Sequence, residues 1–328
     1  MKRGIIQSRG LGDILIALPI ARYYYLQGEE VVWPICREFY GSVKDSVTWV
    51  TWVPIDTDPE GRYFLETPLR VFKEQGVDTD QVLYLYQYLN SMPELTNPEL
   101  FSILKFDQYK YQVAGVPFRL KWALKEFVTR DPEREAALRD RIGIKPGDRY
   151  CIAHLTGSSA RVDQQLVASV IDPAVRIVNV DEYLTDSIFD WLGLLESADS
   201  IVCLDSAMAN LVDQWCIQGP NLYWIRRSGW DLTPVLGSAW AVIPTNLPVK
   251  DPQRVDPAAQ AAEKVRRAQA AAQPQPAPVP SAPTPQPTLA QQAAAASIPE
   301  LNGGLVSHVP FKTDSSKIPK SFMYAVKK

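Results

Sequence analysis

An α/β protein made of two successive layered halves is what this sequence predicts, and three observations predict it. Up to about residue 250, short apolar runs alternate with glycine-bearing loops and longer amphipathic stretches, the pattern of strands and helices layered on a sheet. The alternation starts afresh near residue 148. Beyond residue 250 it gives way to alanine, glutamine and proline.

Taken in order, RGIIQS is a first strand, RGLGD its loop, and ILIALPIARYYYLQG a helix with apolar residues at helical spacing, stopped at Gly28. EVVWPIC is a second strand, a helix surrounds REFYGSVKD, and VTWVTWVPI is a third strand. Residues 81–130 are rich in tyrosine and helical in tendency, and Asp131-Pro132 opens the charged helix of VTRDPEREAALRDRIGI. The second round reads RYCIAHLTG and VRIVNV as strands, DSIFDWLGLLESA as a helix, SIVCLDS as a strand, AMANLVDQWC as a helix and NLYWIR as a strand. Two Rossmann-like domains, 1–135 and 145–250, follow from this. Residues 251–272 are built from strong helix formers with few large apolar side chains, which gives a helix with a weak docking face. Proline at nearly every second position makes 273–297 a disordered Pro/Ala linker, and the lysine-rich 298–328 is a tail peptide able to dock a protein partner.

The chain has 328 residues, enough for a packed core in each half, and its 46% hydrophobic and 22% charged content is that of a globular protein. No apolar run approaches the roughly 20 residues of a membrane span, and MKRGIIQSRGLGD carries no signal-peptide core, so a cytoplasmic location is expected. Cys36, Cys151, Cys203 and Cys216 lack metal-site spacing, and Cys151 and Cys203 sit in apolar strands as small hydrophobes. A net charge of -3 argues against a basic polyanion binder overall, and with only His154 and His308 no histidine cluster is available.

Two loops carry chemistry. In SRGLGDILIALP, Gly10 and Gly12 let the backbone turn and approach a ligand where free N–H groups open a helix. Leu15 stands where a dinucleotide fingerprint needs its third glycine, and no acid ends the second strand, which disfavours an NAD-type oxidoreductase. Asp13 at the mouth of the sheet is either a general base or a carboxylate that offsets the helix dipole. In ESADSIVCLDSAMANLVDQW, a buried strand ends in Asp205-Ser206, and the small residues that follow leave helix amides open to a pyrophosphate; a simple helix cap is the alternative.

Together these blocks resemble the heptosyltransferase-like glycosyltransferases. GLGDILIALPIARYYYLQG is similar to their opening, ADSIVCLDSAMANL to their donor-loop motif, and CIAHLTGSS to the strand and loop that open their second domain. The resemblance covers about residues 1–230 and is poor between 40 and 140. It implies a GT-B fold, two Rossmann-like domains facing a cleft, and an inverting transfer of sugar from a nucleotide-diphosphate donor to the hydroxyl of a saccharide of glycan or lipopolysaccharide type. Asp13 would be the catalytic base, and Gly10, Leu11 and Gly12 would shape the acceptor and phosphate loop. His154, Thr156, Gly157 and Ser158 would lie beside the diphosphate with Arg161, while Asp205, Ser206, Ala207, Met208 and Asn210 would hold the donor. The nucleotide sugar is a co-substrate; no cofactor and no metal are expected, since Asp56-Thr57-Asp58 has the spelling of a metal motif but lies in the acceptor half. Ala207 and Asn210 depart from the family's glycine and histidine, which keeps open a non-catalytic GT-B-like binding protein. Asp181 or Glu182 after a strand, and Arg226 with Arg227, are further ligand-facing candidates, each equally at home on an exposed loop. Tyr84, Tyr86, Tyr88, Tyr109 and Tyr111, if exposed with Lys105, Lys110, Arg119 and Lys121, would suit a hydroxymethylated DNA base as acceptor.

Overall fold

The first sheet of the computed structural model grows outward from β1 (Lys2–Ile6), which is flanked by β2 (Glu30–Cys36) on one side and by β4 (Val82–Tyr84) on the other; β3 (Thr51–Ile55) lies outside β2. All pairings are parallel, with Gly4 opposite Val32 and Val82. The second sheet has the order β6-β5-β7-β8-β9, again parallel throughout, from β5 (Tyr150–His154), β6 (Arg176–Asn179), β7 (Ser200–Leu204), β8 (Asn221–Ile225) and β9 (Trp240–Ile243). This is the expected α/β class. The structure describes residues 1–87, 96–157, 161–180, 184–226, 234–237 and 239–243. The expected helix 251–272, linker 273–297 and tail 298–328 lie outside the described residues, as do Tyr88, Ser158, Asp181, Glu182 and Arg227.

The helices of the first half are α1 (Leu11–Leu26), α2 (Arg37–Val43), α3 (Glu66–Gln75), α4 (Pro98–Ile103) and α5 (Phe106–Val113). After a 3-10 stretch at Phe118–Glu126 come α6 (Pro132–Ile142), α7 (Gln164–Ala168), α8 (Leu192–Ser197) and α9 (Ala207–Gln214). Two sequence expectations change. Within 81–130, expected to be helical in tendency, residues 82–84 form β4, because Val82, Leu83 and Tyr84 extend β1's open edge in register with Gly4, Ile5 and Ile6. The expected helix in DSIFDWLGLLESA opens as a 3-10 turn, Ile188–Trp191, capped by the Ser187 hydroxyl on the Phe189 amide, before α8 begins.

Helix α1 is buried on more than one side: every residue from Ile14 to Ala21 is buried, because α5, α9 and the 3-10 stretch enclose what the sheet leaves uncovered. Each large aliphatic side chain buried this way contributes about 1.5–3 kcal/mol. The helix stops where Gly28 takes φ 84°, a conformation an L side chain resists. A single apolar cluster runs from Ile5, Trp33 and α1 to Leu195, Ile201 and Leu211, so the two sheets share one core. Polar links reinforce it. Arg134 of α6 reaches Asp190 (2.9 Å) and Asp45 (3.3 Å), and the Ser187 hydroxyl donates to the carbonyl of Ser42 at 3.2 Å. Fully buried Lys121 pairs with buried Asp107 at 2.9 Å and with Asp213 at 3.5 Å. Asp107 also accepts from the Val235 amide, and Asp213 from the Gly237 amide and the indoles of Trp122 and Trp240. No helix among the described residues is long and apolar enough to cross a membrane.

Candidate functional site

Both chemistry-bearing loops lie where their sheets change direction. In the first sheet the chain leaves β1 for β2 on one side and later returns to β4 on the other, so a crevice opens beyond the carboxyl end of β1, where residues 7–13 turn into α1. In the second sheet β5 has β6 on one side and β7 on the other, and the ends of β5 and β7 carry His154 and Asp205-Ser206. The two loops meet. A Cβ placed on Gly12 would stand 3.3 Å from the Ala207 Cα and 3.3 Å from the Asn210 Nδ2, a tight fit, so a larger residue there would push the starts of α1 and α9 apart by a few tenths of an ångström. Two helix N-termini therefore converge, each carrying about half a positive charge and free amides.

Gly10 takes φ 86° and precedes α1 with no side-chain cap on the helix amides. Asp13, in the first turn, directs Oδ1 to the Lys110 ammonium at 3.0 Å, and its side chain stays 39% exposed. Its Oδ2 lies towards Gly10, 2.8 Å from where a Cβ there would be. The loop is held from behind: Gln7 donates to the carbonyl of Arg9 at 2.8 Å, the Arg9 amide donates to the Tyr86 hydroxyl at 2.9 Å, and the Arg9 guanidinium donates to the Tyr63 hydroxyl at 2.7 Å.

Across from it, His154 and the Ser206 hydroxyl share a hydrogen bond of 2.7 Å through Nδ1. Ser206 stands at the start of α9 without capping it, since its hydroxyl is spent on the imidazole. The His154 residue keeps slight exposure, but desolvation of its ring pushes its pKa down to about 4, so it is neutral near pH 7. Asn210 donates to the carbonyl of Ser206 at 3.0 Å and leaves its buried Oδ1 without a protein partner. Asp205 is 4% exposed and Met208 2% exposed, Met208 as part of the core. Thr156 and Arg161 pair as a short antiparallel bridge and are both exposed, at the rim of this end of the sheet.

The structure thus gathers Gly10, Leu11, Gly12, Asp13, His154, Ser206, Ala207 and Asn210 at one place, and it leaves other candidates elsewhere. Asp56 pairs with Arg37 at 2.8 Å, and Asp58 accepts from the Arg62 amide at 3.1 Å. Lys110 and Lys121 are buried at 2% and 0%, and Tyr84, Tyr109 and Tyr111 are buried too, so they form no exposed aromatic and basic face. The reason is that each lysine finds carboxylates from distant helices, which lets a hydrophobe-flanked ammonium leave water. Arg119 and Arg226 are exposed. Gln7, which holds the loop, is not among the residues the sequence singles out, and Lys110 is expected there only as part of an exposed basic face and not as the partner of Asp13. The signal was present in FDQYKYQV, where a lysine lies between aromatic residues on a helix.

No family model matches the chain, and no curated protein does. Among solved structures it is similar to E. coli heptosyltransferase WaaC with ADP-2-deoxy-2-fluoro heptose, at 12% identity over 74% of this chain and 93% of that one, with a TM-score of 0.42. It is also similar to a glycosyl transferase family 9 structure from Veillonella parvula, at 10% identity over 82% of this chain and 89% of that one, TM-score 0.47. A third is E. coli ADP-heptose LPS heptosyltransferase II, at 12% identity over 82% and 98%, TM-score 0.43.

Proposed function

We propose that this chain is an inverting glycosyltransferase of GT-B type that moves a sugar from a nucleotide-diphosphate donor to the hydroxyl of a saccharide acceptor. The observation that carries the reading is the meeting of the first turn of α1, which bears Asp13, with the start of α9 through the close approach of Gly12 to Ala207 and Asn210. A carboxylate that is half open to solvent then stands beside two helix starts whose amides suit a diphosphate. In the reaction the acceptor oxygen attacks the anomeric carbon, the bond from that carbon to the diphosphate oxygen breaks, and Asp13 takes the acceptor proton. The helix amides, with Ser206 oriented by neutral His154, face the charge that grows on the leaving diphosphate. Asp205 and Met208 shape the wall behind, while Thr156, Gly157 and Arg161 border the donor side. No metal takes part in this reading.

Asp13→Asn keeps the size and removes the base. With ADP-heptose as the first donor, chosen on the sequence resemblance, and lipopolysaccharide-core saccharides as acceptors, the variant is expected to fold, to retain donor affinity and to transfer about a hundredfold more slowly. Transfer within a few-fold of the parent removes the base assignment.

A further inference from the structure

We propose that Lys110 is the positioning residue for the Asp13 carboxylate, fixing one oxygen so that the other is presented to the acceptor hydroxyl; this rests on the base assignment above. The Lys110 ammonium has three N–H bonds, and three oxygens lie within 3.0 Å of it: Gln7 Oε1 at 2.7 Å, the Leu85 carbonyl at 3.0 Å and Asp13 Oδ1 at 3.0 Å. They come from the end of β1, the end of β4 and the first turn of α1, the three walls of the first sheet's crevice. Gln7 is itself held, because its Nε2 donates to the Arg9 carbonyl and so turns Oε1 towards the lysine.

Two features separate this pair from an ion pair that serves only the fold. In the Lys121–Asp107 pair both side chains are fully buried, whereas here the cation is buried at 2% and the anion is 39% exposed. The oxygen not held by Lys110, Oδ2, lies on the side of Gly10, where the absence of a side chain leaves it room. The second feature is a pair of neutral acceptors beside a single carboxylate, where Lys121 has two carboxylates and one neutral acceptor, the Val235 carbonyl. When Asp13 takes a proton its charge is lost, and an ammonium paired with that carboxylate alone would be stranded in a buried site. Gln7 and Leu85 keep Lys110 hydrogen-bonded through both states, so the base can be charged and discharged without disturbing its support.

The test has two arms. The first is a crystal structure of Lys110→Met, expected to keep the backbone of residues 7–13 while the Asp13 carboxylate leaves its place or splits between rotamers; a carboxylate that stays put overturns the proposal, whatever the activity. If Lys110→Met does not fold, Lys110→Gln, which retains a donor at lower desolvation cost, takes its place in both arms. The second arm measures turnover of ADP-heptose in the parent, Asp13→Asn, the Lys110 variant and the double variant. The Lys110 variant is expected to lower kcat on the order of 10²-fold with donor KM little changed, and to cause no further loss on top of Asp13→Asn. A Lys110 variant within threefold of the parent, or losses that multiply in the double variant, overturns it while leaving the base reading intact. A parental rate in Asp13→Asn instead overturns the base reading and with it any catalytic role for Lys110. Should the parent itself not turn over this donor, the crystallographic arm decides.

Discussion

Replacing Lys121 by Met puts a number on the buried ionic cluster. Lys121 is fully buried between Asp107, which is equally buried, and Asp213, and those two carboxylates retain amide and indole donors when the lysine is gone. What they lose is their only cationic partner among the described residues, so two anions remain in a buried pocket. Breaking a buried pair by removing one partner costs about 3–5 kcal/mol. For a domain of this size each kcal/mol moves Tm by roughly 2–4 °C, so Lys121→Met is expected to melt about 6–20 °C below the parent at pH 7. Asp107→Asn makes the contrast: it lowers the cluster from two negative charges to one and leaves Lys121 beside Asp213, so its loss is expected to be smaller. Calorimetry or circular dichroism on the three proteins checks both statements. Lys121→Met within 2 °C of the parent, or Asp107→Asn melting lower than Lys121→Met, refutes the claim that net charge in the pocket governs its stability.

Three further outcomes follow from geometry already given. His154 is depressed to about 4 in the fold against about 6.5 in an unfolded chain, so the unfolded state binds the extra proton between those values and stability falls as pH drops from 6.5 towards 4, by on the order of 1–3 kcal/mol. Urea unfolding from pH 7 to 4.5 is expected to show a shallower loss for His154→Gln, and equal slopes would contradict the burial argument. Gly10→Ala forces a side chain into φ 86° and against Asp13 Oδ2, with an expected cost of about 1–2 kcal/mol and a drop in turnover with ADP-heptose larger than that cost implies; a parental Tm would show that the loop relaxes freely. EDTA is expected to leave transfer unchanged, and a rate restored only by added divalent cation would place a metal on the diphosphate.

Legibility in the sequence followed the strength of local signals. Strands such as EVVWPIC and SIVCLDS and helix α1 are readable because a continuous apolar run, or an apolar helical stretch stopped at a glycine, determines its own state. Three-residue β4 was hidden, since its strand character comes from pairing with β1 and not from Val82, Leu83 and Tyr84 alone. The same division holds at the site. Gly10, Asp13 and Asp205-Ser206 could be read because they punctuate strand-to-helix turns. Lys110 could not be, because a lysine defaults to the surface and its burial is dictated by Gln7, Leu85 and Asp13, all far away in the chain. Nor does any local pattern state that Ser206 would give its hydroxyl to His154 and not to the α9 amides.

The contact of Gly12 with Ala207 has a consequence for how the protein loses its site. These residues stand near opposite ends of the described chain, so their meeting closes a very long loop and is among the entropically most demanding contacts to form. It is expected to form late, once both sheets exist, and any subglobal opening that frees either one dissolves it. On the Ala207 side the approach is backbone to backbone, with no side chain that can flex to absorb a displacement. The site accordingly has no foldon of its own: amides at the start of α1 and α9 are expected to exchange with solvent as a single cooperative group, and a protease nick between the halves should part Gly12 from Ala207 and Asn210 while Asp13 keeps its contact with Lys110.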